Sequence, residues 1–166
     1  MMILRDLDFD DAQPMLNWLC DKQVNRWLDG DMNSLTLQDM ENYIAAALLL
    51  EGSAQKAVSD ERGRFLGLVS LKNINQRCHS AELSLGLAPE VWGKGWATAA
   101  ARELLDYGFR CLDLQYVYGC VNKNNQAALN FCARYGMEEL QQPPQEAAGD
   151  TKADHLRWFA LRRRDK

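Results

Sequence analysis

Met2 to Leu7 reads as a short first strand, and the alternation in Ala81-Glu82-Leu83-Ser84-Leu85-Gly86-Leu87 predicts a strand with Glu82, Ser84 and Gly86 on one face. Leu83, Leu85 and Leu87 then occupy the other face. From Ala97 the period changes: Ala97, Ala100, Ala101, Leu104, Leu105, Gly108 and Phe109 recur at helical spacing and predict a helix with an alanine-rich buried start. Pro89 ends the preceding strand, because proline cannot donate to a ladder.

Other elements follow the same logic. Met15, Leu16, Trp18 and Leu19 line one face of a helix capped by Asp8 or Asp10, and a short helix covers Gln23 to Leu28. Leu28 to Leu35 is a loop. Thr36 and Asp39 form a capping pair for a helix running to about Leu50. After Gly52, Gln55–Ser59 and Arg64–Ile74 form a hairpin across Asp60-Glu61-Arg62-Gly63, and Asn75–His79 make the next turn. Leu114–Val121 is a strand, Asn125–Tyr135 a helix closed by Gly136, and Met137–Leu140 and His155–Leu161 the last two strands, flanking a loop at Gln141–Lys152. The order predicts a single α/β domain over residues 1–166, built around one mixed sheet.

Composition narrows the function. A 166-residue chain with 47% hydrophobic and 25% charged residues suits an ordinary globular domain. Nineteen basic against twenty-three acidic residues give a charge of -4, which disfavours nucleic acid and anionic membranes as partners. The basic run Arg162-Arg163-Arg164 reads as a solvated tail. Five cysteines without a C-x-x-C pair fit reduced thiols and a cytoplasmic location. No signal peptide is apparent, and the apolar stretch Ile44–Leu50 is too short to span a bilayer. His79 and His155 have no ligand cluster around them in sequence, so no metal is expected.

The segment with most chemical content is Trp92-Gly93-Lys94-Gly95-Trp96-Ala97-Thr98, a glycine turn between a strand end and a helix start. Glycines at 93 and 95 let successive N–H groups converge, and the helix start adds unpaired N–H groups and a positive dipole end. Pyrophosphate fits such a cradle, although a plain turn has the same spacing. Neither a Rossmann fingerprint nor a P-loop is present.

On these residues the chain resembles the GNAT superfamily of N-acetyltransferases, in the branch that includes ribosomal-protein N-terminal and spermidine acetyltransferases. The coenzyme A motif Gln/Arg-x-x-Gly-x-Gly/Ala aligns with Trp92 to Ala97, Trp92 departing from the usual first residue. Asn125-Gln126-Ala127-Ala128 and Tyr135-Gly136-Met137 match a second motif. The resemblance implies a mostly antiparallel sheet flanked by helices, with a splayed strand pair holding acetyl-CoA as co-substrate. Gly86, which lacks a side chain in mid-strand, suits a bulge or the close approach of another backbone. The resemblance further implies pyrophosphate bound by the loop of residues 92–98, pantetheine paired with the backbone of Leu85 and Leu87 beside such a bulge, and Asn125 against the pantetheine arm.

The expected reaction is direct attack of a primary amine on the thioester, whose carbonyl is polarised by a backbone N–H near Leu85. Glu82 is the candidate base, acting through water, and equally fits a solvent-facing strand glutamate. Ser84 shares its face. Cys132 occupies the position of the family's tyrosine acid, and is either that acid or a core thiol; Tyr135 is a substitute. Trp18, Asn25, Arg26, Trp27, Asp29 and Asp31 either wall an acceptor pocket or belong to core and turns. Acceptors compatible with the resemblance are a small amine such as a polyamine, aminoglycoside or amino sugar, or a protein N-terminus. A non-catalytic acyl-CoA-binding module is the alternative, a purely structural role a third reading, and a homodimer is compatible with exposed strand edges.

Overall fold

A computed structural model describes residues 1–49 and 54–164. Leu50, Gly52, Asp165 and Lys166 lie outside the described residues. Seven strands form one sheet: β1 (Ile3–Asp6), β2 (Ala54–Ser59), β3 (Phe65–Asn75), β4 (Ser80–Leu87), β5 (Tyr116–Asn122), β6 (Glu138–Leu140) and β7 (Leu156–Arg162). Their order across the sheet is β1-β2-β3-β4-β5-β7-β6. Every neighbouring pair is antiparallel except β4 and β5, as the mixed sheet required.

The helices are α1 (Ala12–Cys20), α2 (Lys22–Asn25), α3 (Leu37–Leu49), α4 (Trp96–Cys111) and α5 (Gln126–Tyr135). α2 stops three residues earlier than expected. Its end is set by Asn25, whose side-chain amide donates to the Leu19 carbonyl at 2.9 Å. The loops at 28–35 and 89–95 each contain a 3₁₀ turn, Met32–Ser34 and Pro89–Val91. Among the described residues no helix is long and apolar enough to cross a membrane.

One face of the sheet packs on α4. Ala100, Ala101, Leu104 and Leu105 bury against Val58, Leu66, Val69, Leu71, Ala81, Leu87 and Val117, with Phe131 and Tyr135 of α5 at the margin. The small residues at the start of α4 bring it close to β4. On the other face, Ala12 and Met15 of α1 and Met40 and Ile44 of α3 cover Ala57 and Phe65. Tyr118, Trp158 and Ala160 make a separate cluster beside them. Between these two coverings Ser84 remains exposed, so the floor of the sheet is open there.

The bulge expected at Gly86 is absent from β4, which keeps a continuous register with β3 from Gly67↔Leu87 to Lys72↔Glu82. β3 carries the irregularities instead, one opposite Val58/Ser59 and one between Lys72 and Asn75. Gly86 answers a different constraint, close approach. A Cβ there would stand 2.8 Å from the Trp18 ring, and a Cβ on Gly67 would stand 2.4 Å from the Gly86 carbonyl oxygen.

Gly67→Ala is therefore expected to destabilise the protein by about 2–3 kcal/mol, because the obstacle is backbone and cannot swing aside. That corresponds to a thermal midpoint roughly 4–12 °C lower for a chain of this length. A midpoint within a degree of wild type in differential scanning calorimetry would refute the close-approach account.

Candidate acyl-CoA and acceptor site

β4 and β5 pair over only three residues, Ser80↔Tyr116, Ala81↔Val117 and Glu82↔Tyr118, and then part. The orientation of the freed backbone follows from its neighbours. His79 accepts from Gln115 and Tyr116 on the β5 side, and Ala88 donates to Leu66 on the β3 side. Alternation then turns the N–H and C=O groups of Leu83, Leu85 and Leu87 toward the gap. Peptide-like amides inserted there would pair with them as an added strand does.

The loop that follows lies at the open end of this fork. Gly93 and Gly95 take φ of +74° and +79°, with no neighbour within 4 Å of a would-be Cβ, so the glycines serve backbone conformation and not packing. Gly95 is the N-cap of α4, which has no side-chain cap, so the N–H groups at the start of the helix, including those of Trp96, Ala97 and Thr98, remain available to an anion. Lys94 is exposed beside them. Trp92 is also exposed, and its Nε1 donates to the Leu87 carbonyl at 2.9 Å. That contact explains how tryptophan fits a position where another residue is usual: it ties the loop to the end of β4, and it occupies one of the two backbone partners expected for pantetheine.

Asn125 caps α5, its Oδ1 accepting from the Ala128 N–H at 3.3 Å. The cap aims the start of α5 and leaves the amide nitrogen as the donor end of the side chain. Seven residues on, Cys132 is buried, and burial pushes its thiol up to about 11. Burial also raises the Tyr135 hydroxyl, whose ring lies against Phe131.

On the acceptor face the register sets Lys72, Glu82, Tyr118 and Ala160 side by side on four consecutive strands. Glu82 is 7% exposed, not solvent-facing. Its Oε1 accepts from Asn73 Nδ2 at 3.0 Å, and its Oε2 stands 3.6 Å from Lys72 Nζ. The buried Tyr118 hydroxyl has no hydrogen-bond partner among the described residues, and burial followed by the nearby Glu82 charge pushes it up to about 12. The Cys120 thiol, next on that face, is raised mainly by burial.

Of the six residues considered for an acceptor pocket, two reach this face. Trp18 overhangs Gly86, and Asp29 lies 3.3 Å from His155 Nε2 at the start of β7. Asn25 and Asp31 are spent on a helix end and a turn cap, and Arg26 stacks on Trp27 at 4.6 Å. Sequence reasoning did not single out Lys72, Asn73, Tyr118 or Trp158. The available signal was the alternation of Tyr116, Tyr118 and Cys120, which puts three polar-tipped side chains on one face of β5.

A forked parallel strand pair ending in a glycine cradle at a helix N-terminus defines the class, an α/β protein with a place for an extended ligand that carries an anionic group. Residues 2–138 match the model of the acetyltransferase (GNAT) domain, and the chain belongs to that family. It is similar to spermidine N(1)-acetyltransferase of Escherichia coli K12, 38% identical over 84 residues that make up 51% of this chain and 45% of that protein. The match to that relative thus spans less than half of its length. Similarity to the uncharacterized N-acetyltransferase p20 of Bacillus licheniformis is broader, 27% over 137 residues, or 78% and 75% of the two chains. Among solved structures, spermidine N-acetyltransferase from Vibrio cholerae in complex with CoA and spermine superposes with a TM-score of 0.82 at 23% identity, over 97% of this chain and 95% of that one. At that identity the likeness shows the fold.

Gly95→Val should weaken coenzyme A binding about tenfold or more in titration calorimetry, since a β-branched residue at positive φ costs roughly 1–2 kcal/mol or forces the cradle open. The thermal midpoint should fall by no more than about 2–8 °C. Unchanged affinity would remove the loop from the cofactor site.

Proposed function

We propose that this protein transfers the acetyl group of acetyl-CoA to a primary amine of a small cationic acceptor, a polyamine first among them, by direct attack. The observation that carries the reading is the fork: β4 presents unpaired backbone groups to β5 immediately beyond Glu82, and the glycine cradle lies at its other end. Pyrophosphate on the cradle and pantetheine along the Leu87 N–H and the Leu85 carbonyl, with the Leu87 carbonyl held by Trp92, bring the thioester to the level of Glu82 and Ser84. Acetyl-CoA supplies the activated acyl group.

In the proposed reaction the amine nitrogen attacks the thioester carbon while the Leu85 N–H stabilises the oxygen that gains charge. The carbon–sulfur bond breaks, the thiolate leaves, and the proton lost by the amine passes through water to Glu82. A carboxylate is useful because a primary amine with a pKa near 10 is mostly protonated at neutral pH. Cys132 is a poor source for the proton that the thiolate needs, since its own thiol holds its proton up to about 11. We assign it to packing against the sheet. Support for a small cation comes from the net charge of -4, the Trp18 and Trp158 walls, the Glu82 and Asp29 carboxylates, and the spermidine acetyltransferases among the relatives.

Release of coenzyme A thiol should be measured with spermidine, an aminoglycoside, a nucleotide amino sugar and a short N-terminal peptide. Spermidine is expected to give turnover, with Glu82→Gln lowering kcat by about 10²–10⁴ and leaving coenzyme A affinity unchanged. Cys132→Ala is expected to stay within about threefold of wild type, as fits a thiol outside the proton path. Tight acetyl-CoA binding with no turnover on any amine would instead support a binding module.

A further inference from the structure

The bulge on β3 has a chemical consequence at Glu82. Between the pairs Lys72↔Glu82 and Asn75↔Ser80, β3 contains one residue more than β4, and Asn73 accommodates it at φ +52°. In a regular strand consecutive side chains point to opposite faces. Here the extra residue breaks that alternation, so Lys72 and Asn73 both reach the same carboxylate, one at each oxygen. The left-handed backbone alone would be met with less strain by glycine. Asparagine supplies what glycine lacks, an amide donor 3.0 Å from Glu82 Oε1.

The other groups around Glu82 do not hold it. The titratable side chains facing it are Lys72 from β3 and Tyr118 and Cys120 from β5, while Cys78 bears on Tyr118 and Asp29 on Cys120. The Lys72 ammonium is half-exposed and tethered by a flexible stem, so it supplies charge and little orientation. Asn73, with its backbone fixed in the bulge, fixes direction.

We propose that Asn73 is a positioning residue for acetyl transfer, its bulge holding the Glu82 carboxylate against the fork so that the proton leaving the acceptor amine meets an oriented receiver. This rests on the reading of Glu82 as the base. The two are separated by assaying Asn73→Gly, Asn73→Asp and Glu82→Gln together, on the amine of the panel above that gives turnover.

Asn73→Gly should lower kcat about tenfold, as expected on losing a hydrogen bond to a charged group, with the KM for acetyl-CoA within twofold. Its thermal midpoint should stay within a few degrees of wild type, because relief of the positive φ offsets the lost hydrogen bond. A purely structural role predicts the reverse pattern, a moved midpoint with kcat intact. Asn73→Asp keeps a residue tolerant of this backbone but sets a like charge beside Glu82, so the acid limb of the kcat/KM profile should move to higher pH. Should Asn73→Gly fail to fold, that profile decides the matter. Wild-type kcat in Asn73→Gly, or an unmoved limb in Asn73→Asp, overturns the positioning role if Glu82→Gln is inactive. Full activity in Glu82→Gln, or no turnover on any amine, overturns the base reading and this inference with it.

Discussion

Strands β4 and β5 cannot complete their ladder, and the rest of the site depends on that one failure. Three residue pairs join them, after which each β4 residue facing the gap has a donor and an acceptor in search of a partner. A polar group left unpaired in a buried setting costs about 1–3 kcal/mol. The fold meets part of that cost itself, by turning the Trp92 indole onto the Leu87 carbonyl. What is left unpaired matches a ligand that carries amides at peptide-like spacing.

The two faces of the sheet divide the remaining work. Alanines on α4 seal one side and hold the helix start near the end of β4, where its uncapped N–H groups are free to meet an anion. The other side is left incomplete, with α1 and α3 covering β2 and β3 and the Tyr118–Trp158 cluster covering β5 and β7. Glu82 lies at the seam. Its burial is tolerable because β3 supplies both a hydrogen bond and a counter-charge.

Much of this was legible in the chain. The spacing from Ala97 to Phe109 gave α4 because its stripe is wide and uninterrupted, and the glycines at 93 and 95 marked a turn that side chains would resist. The fork was less visible, since the partner of Glu82, Tyr118, lies far along the chain and nothing local states where pairing ends. It was anticipated through resemblance to a family. Gly86 misled for a specific reason: a strand glycine is compatible with a bulge or with close packing, and only the position of Trp18, brought over by α1, decides between them. The bulge that does matter sits at Lys72-Asn73, just past the apolar stretch from Phe65 to Leu71, where two consecutive polar residues read equally as the end of a strand's buried part. Cys132 looked chemical by alignment, while its burial on α5 is set by how that helix meets the sheet.

A fork also has a closed end. Beyond Leu83, whose carbonyl would lie 3.1 Å from a Cβ on Gly119, the strands are zipped together with Ala81, Val117 and Tyr118 fully buried behind them. At about 3.3 Å per residue, the four steps from Leu87 to Leu83 allow roughly 13 Å of threaded chain before that stop. On the proposed reading, whatever extends past the sulfur of a thioester has the space between this stop and the open floor at Ser84. If acyl-CoA occupies the fork as proposed, the depth its acyl end can reach is set by hydrogen-bond register, at the residue where two strands cease to pair.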